Sequence, residues 1–253
     1  MDQDLKKRII LGLDVSTRCI GSTVASLDED GTIKILEISH LKLKTPRKTK
    51  GTKILFQKSD VFKQKLEDKY TKYFITDVII EEPLISSNNA ETAATLMRFN
   101  GMISQCVKDV LGIIPEYISS YDARKFGCPS LIAIRKYNKV GEVYSRKKIM
   151  KCIKKNELVL FGAYPFDCAK KFILWNYVSE KFPYIKWDYN KKGELKNENF
   201  DASDSLMCVL GYVSKCKYGD KEPEIVNSTS KKNKIEYTID FCGQKFDKVI
   251  DFE

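Results

Sequence analysis

The chain has 253 residues, 43% of them hydrophobic, and its 44 Lys and Arg against 34 Asp and Glu give a formal net charge of +10. That length holds one generous domain, or one domain with an elaborate insertion, and apolar runs such as 78–80 and 158–161 are far too short to cross a bilayer. The basic balance suits a polyanionic partner, because each cation placed on a phosphate releases a counterion, although a lysine-rich coding bias gives the same excess.

The chain opens MDQDLKKRIILGLDVS, with charges and then only a strand-length apolar run. This is not the pattern of a signal peptide. Residues 8–14 read as a buried strand ending at a turn over 15–18, and 20–27 resumes an extended pattern. Asp28-Glu29-Asp30-Gly31 is a hairpin signal leading into a third strand over 32–43. Three strands joined so tightly imply an antiparallel meander.

A basic loop over 44–53 precedes an amphipathic helix over 59–74, with Val61, Phe62, Leu66, Tyr70 and Tyr73 on one face. Residues 77–81 (DVIIE) form a fourth strand, 90–111 a long helix, and 116–119 a short fifth strand. Helical patterns follow over 144–155, 167–181 and 201–215. A strand, crossover helix and strand favour parallel pairing of the later strands. The expected fold is therefore α/β, a mixed five-stranded sheet with helices on both faces.

Residues 129–199 exceed what such a core requires and read as a helical insertion within a domain spanning 1–215. A C-terminal extension over 216–253 follows, with a polar, lysine-rich flexible connection over 217–234 and a terminal hairpin turning at Cys242-Gly243. No internal repeat is evident.

The eight cysteines, at 19, 106, 128, 152, 168, 208, 216 and 242, include no CxxC pair, and His40 is the one histidine. Structural zinc needs closely spaced ligand pairs, so the expectation is eight reduced thiols in a cytoplasm, bacterial or that of a virus-infected host cell.

Four carboxylates stand where chemistry can use them. Asp14 ends the first strand, Glu81 ends the fourth ahead of Glu82-Pro83, and Asp201 and Asp204 open a helix in NFDASDSL. Their i,i+3 spacing sets the last two one turn apart on one helix face. Asp14 has an innocent explanation as a turn residue and Asp201 or Asp204 as a helix cap; Glu81 is harder to dismiss, because continuing an apolar strand it would desolvate an unpaired carboxylate. Together they suit phosphodiester hydrolysis, which needs an activated water and neutralised charge on attacking and leaving oxygens. Two divalent ions roughly 4 Å apart supply both, and Mg²⁺ prefers such oxygen ligands. Of Glu81 and Glu82 only one can face the metals, because adjacent strand residues point to opposite faces.

The order ILGLDVSTRCIGSTVA, VIIEEP and DASDSL resembles the RuvC family of Holliday-junction resolvases within the RNase H-like superfamily. The similarity covers roughly 8–125 and 200–213, including the 90–110 helix with Gly101. It implies a Mg²⁺-dependent endodeoxyribonuclease acting on four-way junctions or other branched DNA. Asp14, Glu81, Asp201 and Asp204 would be catalytic and would hold two ions, Mn²⁺ being able to substitute, with Asp14 shared and Glu81 preferred over Glu82. It further implies a homodimer, products ending in 5′-phosphate and 3′-hydroxyl, and no membrane or nucleotide cofactor.

The same resemblance suggests DNA contacts from Arg124, Lys125, Arg146, Lys147 and Lys148, and an apolar probe of the junction centre at Leu84 or Ile85. The aromatic-rich stretch 172–189 suits either stacking on unpaired bases or core packing; Trp175 reads as core, and His40 carries no expected catalytic role. Two other classes share parts of the pattern. One is an actin-like ATPase or sugar kinase, although the Asp14-Val15-Ser16-Thr17 turn lacks its phosphate-approaching glycine. The other is a catalytically silent relative that binds branched DNA.

Overall fold

The computed structural model describes residues 7–44, 51–83 and 90–252. Strands β1 (Arg8–Val15), β2 (Cys19–Leu27) and β3 (Ile33–Lys42) form the expected antiparallel meander. The β1–β2 turn is closed by Ser16, whose hydroxyl accepts the Cys19 amide at 3.0 Å. Gly31, at φ 85°, makes the β2–β3 turn in the left-handed region that glycine enters without steric cost.

Helix α1 (Lys53–Lys65) leads to β4 (Asp77–Glu81), and α2 (Ala90–Leu111) leads to β5 (Glu116–Ile118). Both strands run parallel to β1, giving a sheet ordered β3-β2-β1-β4-β5 in which β2 alone is reversed. The first helix begins earlier than expected. Its continuation is a π turn over Leu66–Tyr70 and a 3-10 turn over Thr71–Tyr73, so the periodicity over 59–74 spans three kinds of helical turn.

Strand alternation divides the apolar residues between two cores. Leu11, Leu13, Val15, Val78 and Ile80 pack with Phe62, Leu66, Phe99 and Ile103 of the α1–α2 layer. On the other face Ile10, Ile79 and Ile118 pack against α3 (Ser120–Gly127), α5 (Lys170–Lys181) and α6 (Glu198–Tyr218). Helices thus cover both faces.

The approach of α6 to the sheet is set by glycine. A Cβ built on Gly12 would lie 2.4 Å from the carbonyl oxygen of Ser205, and one on Gly21 would lie 2.0 Å from that of Asp201. Backbone rests on backbone at both points, and Thr23 Oγ1 meets Ser205 Oγ at 2.8 Å between them. On the outer side, a Cβ built on Gly211 would lie 2.6 Å from the backbone of Ala123 of α3. Buried between sheet and outer helices, α6 has no solvent stripe over its first fourteen residues, of which twelve are buried.

Residues 129–199 are less purely helical than expected. Alongside α4 (Arg146–Lys154) and α5 they contain an antiparallel pair, β6 (Ile132–Ile134) and β7 (Leu158–Leu160). They also carry a short repeat that the absence of an evident repeat did not anticipate. Tyr137–Val143 (YNKVGEV) and Tyr189–Leu195 (YNKKGEL) are each closed by a bridge between their end residues. In both, the Asn side chain accepts the amides two and four residues on and donates to the Glu carboxylate, at 2.9 Å for Asn138–Glu142 and 2.7 Å for Asn190–Glu194.

The C-terminal hairpin is present, with β9 (Lys234–Phe241) and β10 (Gln244–Asp251) joined at Cys242 and Gly243, both at positive φ. The stretch expected to be a flexible connection instead contributes β8 (Glu224–Lys231), which makes the sheet three-stranded. Nearly every β8 side chain is exposed, so it lacks the apolar alternation that marks a strand. Asn156 anchors it by accepting the Ile225 amide at 2.8 Å and donating to the Pro223 carbonyl at 2.9 Å. This sheet buries Ile235, Tyr237, Ile239 and Phe241 against Phe126, Ile132, Ile134 and Ile149, forming a third core.

Candidate active site

Asp14 and Glu81 are neighbours because β1 and β4 are parallel and in register. Leu13 pairs with Ile80, so the next residue of each strand lies beside the other. Glu81 shares a face with Ile79, which belongs to the α6 side, whereas Val78 and Ile80 belong to the α1–α2 side. That alternation decides between the two glutamates. Glu81 faces α6; Glu82 is exposed, and its amide donates to the Ile118 carbonyl at 2.9 Å.

Helix α6 completes the cluster from above. Asp14, Glu81 and Asp204 each offer a carboxylate oxygen, all within 4.8 Å of one another. Asp201 stands one turn earlier on α6, outside that group but in its field. The Cys19 thiol, beside the Asp201 carboxylate, works against the upward shift that burial imposes on it. The helix begins at Glu198 after an Asn197 cap, so Asp201 closes its first turn, Asp204 lies one turn further on, and neither caps it.

The electrostatics are unfavourable without a compensating cation. Burial pushes Asp14 well above the usual carboxylate range, and Glu81, Asp204 and Asp201 push it further. Burial, then Asp204, raises Glu81 to about 7. Burial likewise raises Asp201. Two cations answer this field. Arg124, on α3, donates from Nη2 to Asp204 Oδ1 at 3.1 Å, and its Nε is buried without a hydrogen-bond partner. Lys171, exposed in the first turn of α5, opposes the shifts of Asp14, Glu81 and Asp201.

Four carboxylates against two cations leave an excess of negative charge in a desolvated cleft. All the donors are oxygen, the set that hard divalent cations such as Mg²⁺ and Mn²⁺ take. The residues therefore fit a divalent metal.

The fold is RNase H-like. Sheet order, strand directions and acids brought from two strand ends and a facing helix agree on it. No protein-family model and no curated protein sequence matches the chain. Among solved structures it is similar to Thermus thermophilus RuvC in complex with a Holliday junction substrate, at 9% identity and TM-score 0.48 over 83% of this chain and 96% of that one. A second Thermus thermophilus RuvC structure gives 12% identity and TM-score 0.45 over 83% and 96%. The yeast mitochondrial Holliday junction resolvase gives 15% and 0.46 over 81% and 77%.

The basic residues singled out in the sequence disperse over this RNase H-like frame. Arg124 enters the site. Lys125, the next residue, is 4% exposed. Its ammonium pairs with Glu222 at 2.5 Å and lies over the rings of Phe126 and Phe241. Arg146 ties α4 to the end of β8 and the turn after it, donating to Ser230 Oγ at 3.2 Å and to the Lys232 carbonyl at 2.6 Å. Lys147 and Lys148 are exposed on α4. Leu84 and Ile85 lie outside the described residues.

Of the aromatic stretch, Phe182 is buried, and Tyr177 and Trp187 pack on the α6-side core. Trp175 is partly buried and meets Trp187 edge-on at 6.1 Å. His40 Nε2 lies 3.9 Å from Asp188. Two site residues were not foreseen. Lys171 belongs to no motif and Cys19 lies within ILGLDVSTRCIGSTVA with no role assigned to it there; only the packing of α5 and β2 around α6 reveals them. No helix among the described residues is long and apolar enough to cross a membrane.

Proposed function

We propose that this chain is a divalent-cation-dependent endodeoxyribonuclease that cuts branched DNA, with four-way junctions foremost among its substrates. The observation that carries the proposal is the meeting of Asp14, Glu81 and Asp204 within 4.8 Å in a partly buried cleft. The net charge of +10 supports a nucleic-acid substrate, and the order of the three acidic motifs supports the resolvase class.

Asp14, Glu81 and Asp204 would hold the cations, with Asp201 available one turn away. Two Mg²⁺ ions, replaceable by Mn²⁺, supply Lewis acidity and water activation when bound. Arg124 holds the Asp204 carboxylate in place through the hydrogen bond from its Nη2. Lys171, exposed beside the acids, pairs with a non-bridging oxygen of the scissile phosphate, placing positive charge where negative charge grows. Cleavage leaves 5′-phosphate and 3′-hydroxyl ends. Paired incisions across a junction of two-fold symmetry call for a homodimer, and the free thiols fit a cytoplasmic setting.

A panel of four-way junctions, forks, flaps and linear duplexes, incubated with Mg²⁺, Mn²⁺ or EDTA, tests the proposal. Cutting of branched substrates with either metal and not with EDTA is expected, and Asp14→Asn should bind junctions without cutting them. Binding of junctions with no cutting under any metal points to a silent relative, and turnover of ATP to a phosphotransferase; either result removes the nuclease assignment.

A further inference from the structure

A cavity of about 690 Å³ opens beside the acidic cleft, with Phe166, Lys170, Lys171, Phe172, Asn197 and Asp201 on its walls. Asp201, one turn before Asp204 on α6, forms part of its wall, so the cavity borders the acidic cleft.

Two phenylalanines on its walls are not used by the core. Phe172 is 49% exposed, and its ring is held edge-on against the buried ring of Phe200, with centroids 4.8 Å apart and planes at 70°. That contact fixes the ring's plane. Phe166 is 41% exposed, and the guanidinium of Arg135 lies over its ring at 4.3 Å. Oriented aromatic rings interleaved with Lys170, Lys171 and Arg135 form the combination that stacks a base while holding its phosphate.

We infer that this cavity receives one unpaired nucleotide of the substrate strand, next to the phosphodiester being cut, with its base stacked on Phe172. Its volume lies in the range of small-molecule sites, room for a nucleotide and not for a duplex about 20 Å across. In a duplex both faces of a base are covered by its neighbours. A base costs least to draw out where it is already single-stranded or its pairing is weakened, as at a branch whose central pairs open. The cavity therefore favours branched DNA over linear DNA before any chemistry occurs. This inference rests on the nuclease reading for its substrate.

The test is a binding cycle in EDTA, read by fluorescence anisotropy, so that it needs no cutting. Single abasic sites are scanned through the nucleotides flanking the branch of a four-way junction. At one position, loss of the base should weaken wild-type binding about tenfold, within the range for base–aromatic stacking. Phe172→Ala should lose a similar factor on the intact junction and nothing more on that abasic one. Phe172→Leu keeps apolar contact with Phe200 and should behave like the alanine variant, which covers the case in which Phe172→Ala does not fold.

If the two losses multiply at every position, or if either variant binds the intact junction like wild type, the inference is overturned. Equal loss on linear duplex overturns it too, as that would mark a backbone contact. Junction binding with this cycle intact and no cutting in Mg²⁺ would instead retire the nuclease reading alone.

Discussion

Arg124 on α3 donates to Asp204 on α6 at 3.1 Å, and the two close one wall of the acidic cleft. Removing one partner of such a buried pair leaves the other charged and desolvated, typically at 3–5 kcal/mol, discounted here because Arg124 is partly exposed. Arg124→Gln should cost the metal-free protein about 2–3 kcal/mol, or roughly 5–10 °C at about 2–4 °C per kcal/mol. Mg²⁺ should restore more of that loss than it adds to wild type, since the excess negative charge is larger. Calorimetry with and without Mg²⁺ decides, and a variant that melts like wild type without metal would show that the pair contributes nothing.

The crowded carboxylates oppose folding when no metal is bound. Glu81 is raised by burial and Asp204 to about 7 from an ordinary 4.5, so its folded form prefers the proton. A raised value means stability that is full below about pH 4.5 and is lost as pH climbs through 7. The metal-free protein should therefore melt higher at pH 5.5 than at pH 8. At Asp77, burial is outweighed by the Arg8 hydrogen bond and the value is lowered, so its stabilisation is present above the unfolded value and fades only in stronger acid. Melting curves in EDTA across this range test the sign; a flat or rising profile with pH contradicts it.

By the same reasoning, Asp14→Asn should raise the metal-free melting temperature at pH 8, on the order of 5 °C if about 2 kcal/mol of repulsion is relieved. The variant should also lose most of the Mg²⁺-dependent stabilisation while abolishing cutting. Loss of activity accompanied by lower stability would instead place Asp14 in a structural role.

Gly21→Ala puts a methyl group 2.0 Å from the Asp201 carbonyl oxygen. Helix α6 must lift, and overpacking of this kind costs about 1–3 kcal/mol or more. Because Asp201 and Asp204 ride on that helix, cutting should fall about a hundredfold, the usual penalty for an ångström of misplacement. Gly101→Ala provides the contrast. It lies on α2 with nothing within 4 Å of the added Cβ, and should gain up to about 1 kcal/mol of stability with cutting unchanged.

Two lysines separate structure from substrate contact. Lys125→Ala should cost about 2–3 kcal/mol through lost packing on Phe126 and Phe241, with junction affinity of the folded protein unchanged. Exposed Lys171→Ala should leave the melting temperature within about 2 °C and reduce cutting at least tenfold. Melting and single-turnover cleavage of both variants check the pair, and the reverse pattern would exchange their roles.

The acids were legible because strand ends are. Asp14 and Glu81 each follow an apolar run, and alternation alone selects Glu81 over Glu82 once Ile79 is assigned a face. Arg124 and Lys125 were not separable in the same way. They differ by about 100° around a short helix, and which faces α6 depends on Gly211 meeting Ala123, a contact 88 residues apart in the chain. Lys171 carried no local signal, since its role comes from where α5 docks. Strand β8 was hidden because its partners are backbone groups and Asn156 rather than an apolar core. The twin turns were missed because five identities in seven residues fall below what the eye takes for a repeat.

Those turns carry their own closure. Asn138 and Glu142 secure one, Asn190 and Glu194 the other, and neither uses the side chains at its tip. Lys139-Val140 and Lys191-Lys192 are thus free to vary while the bend beneath them stays put. A lineage can alter these tips one residue at a time, and an engineer can seat a dye or a crosslinker there without disturbing the machinery below.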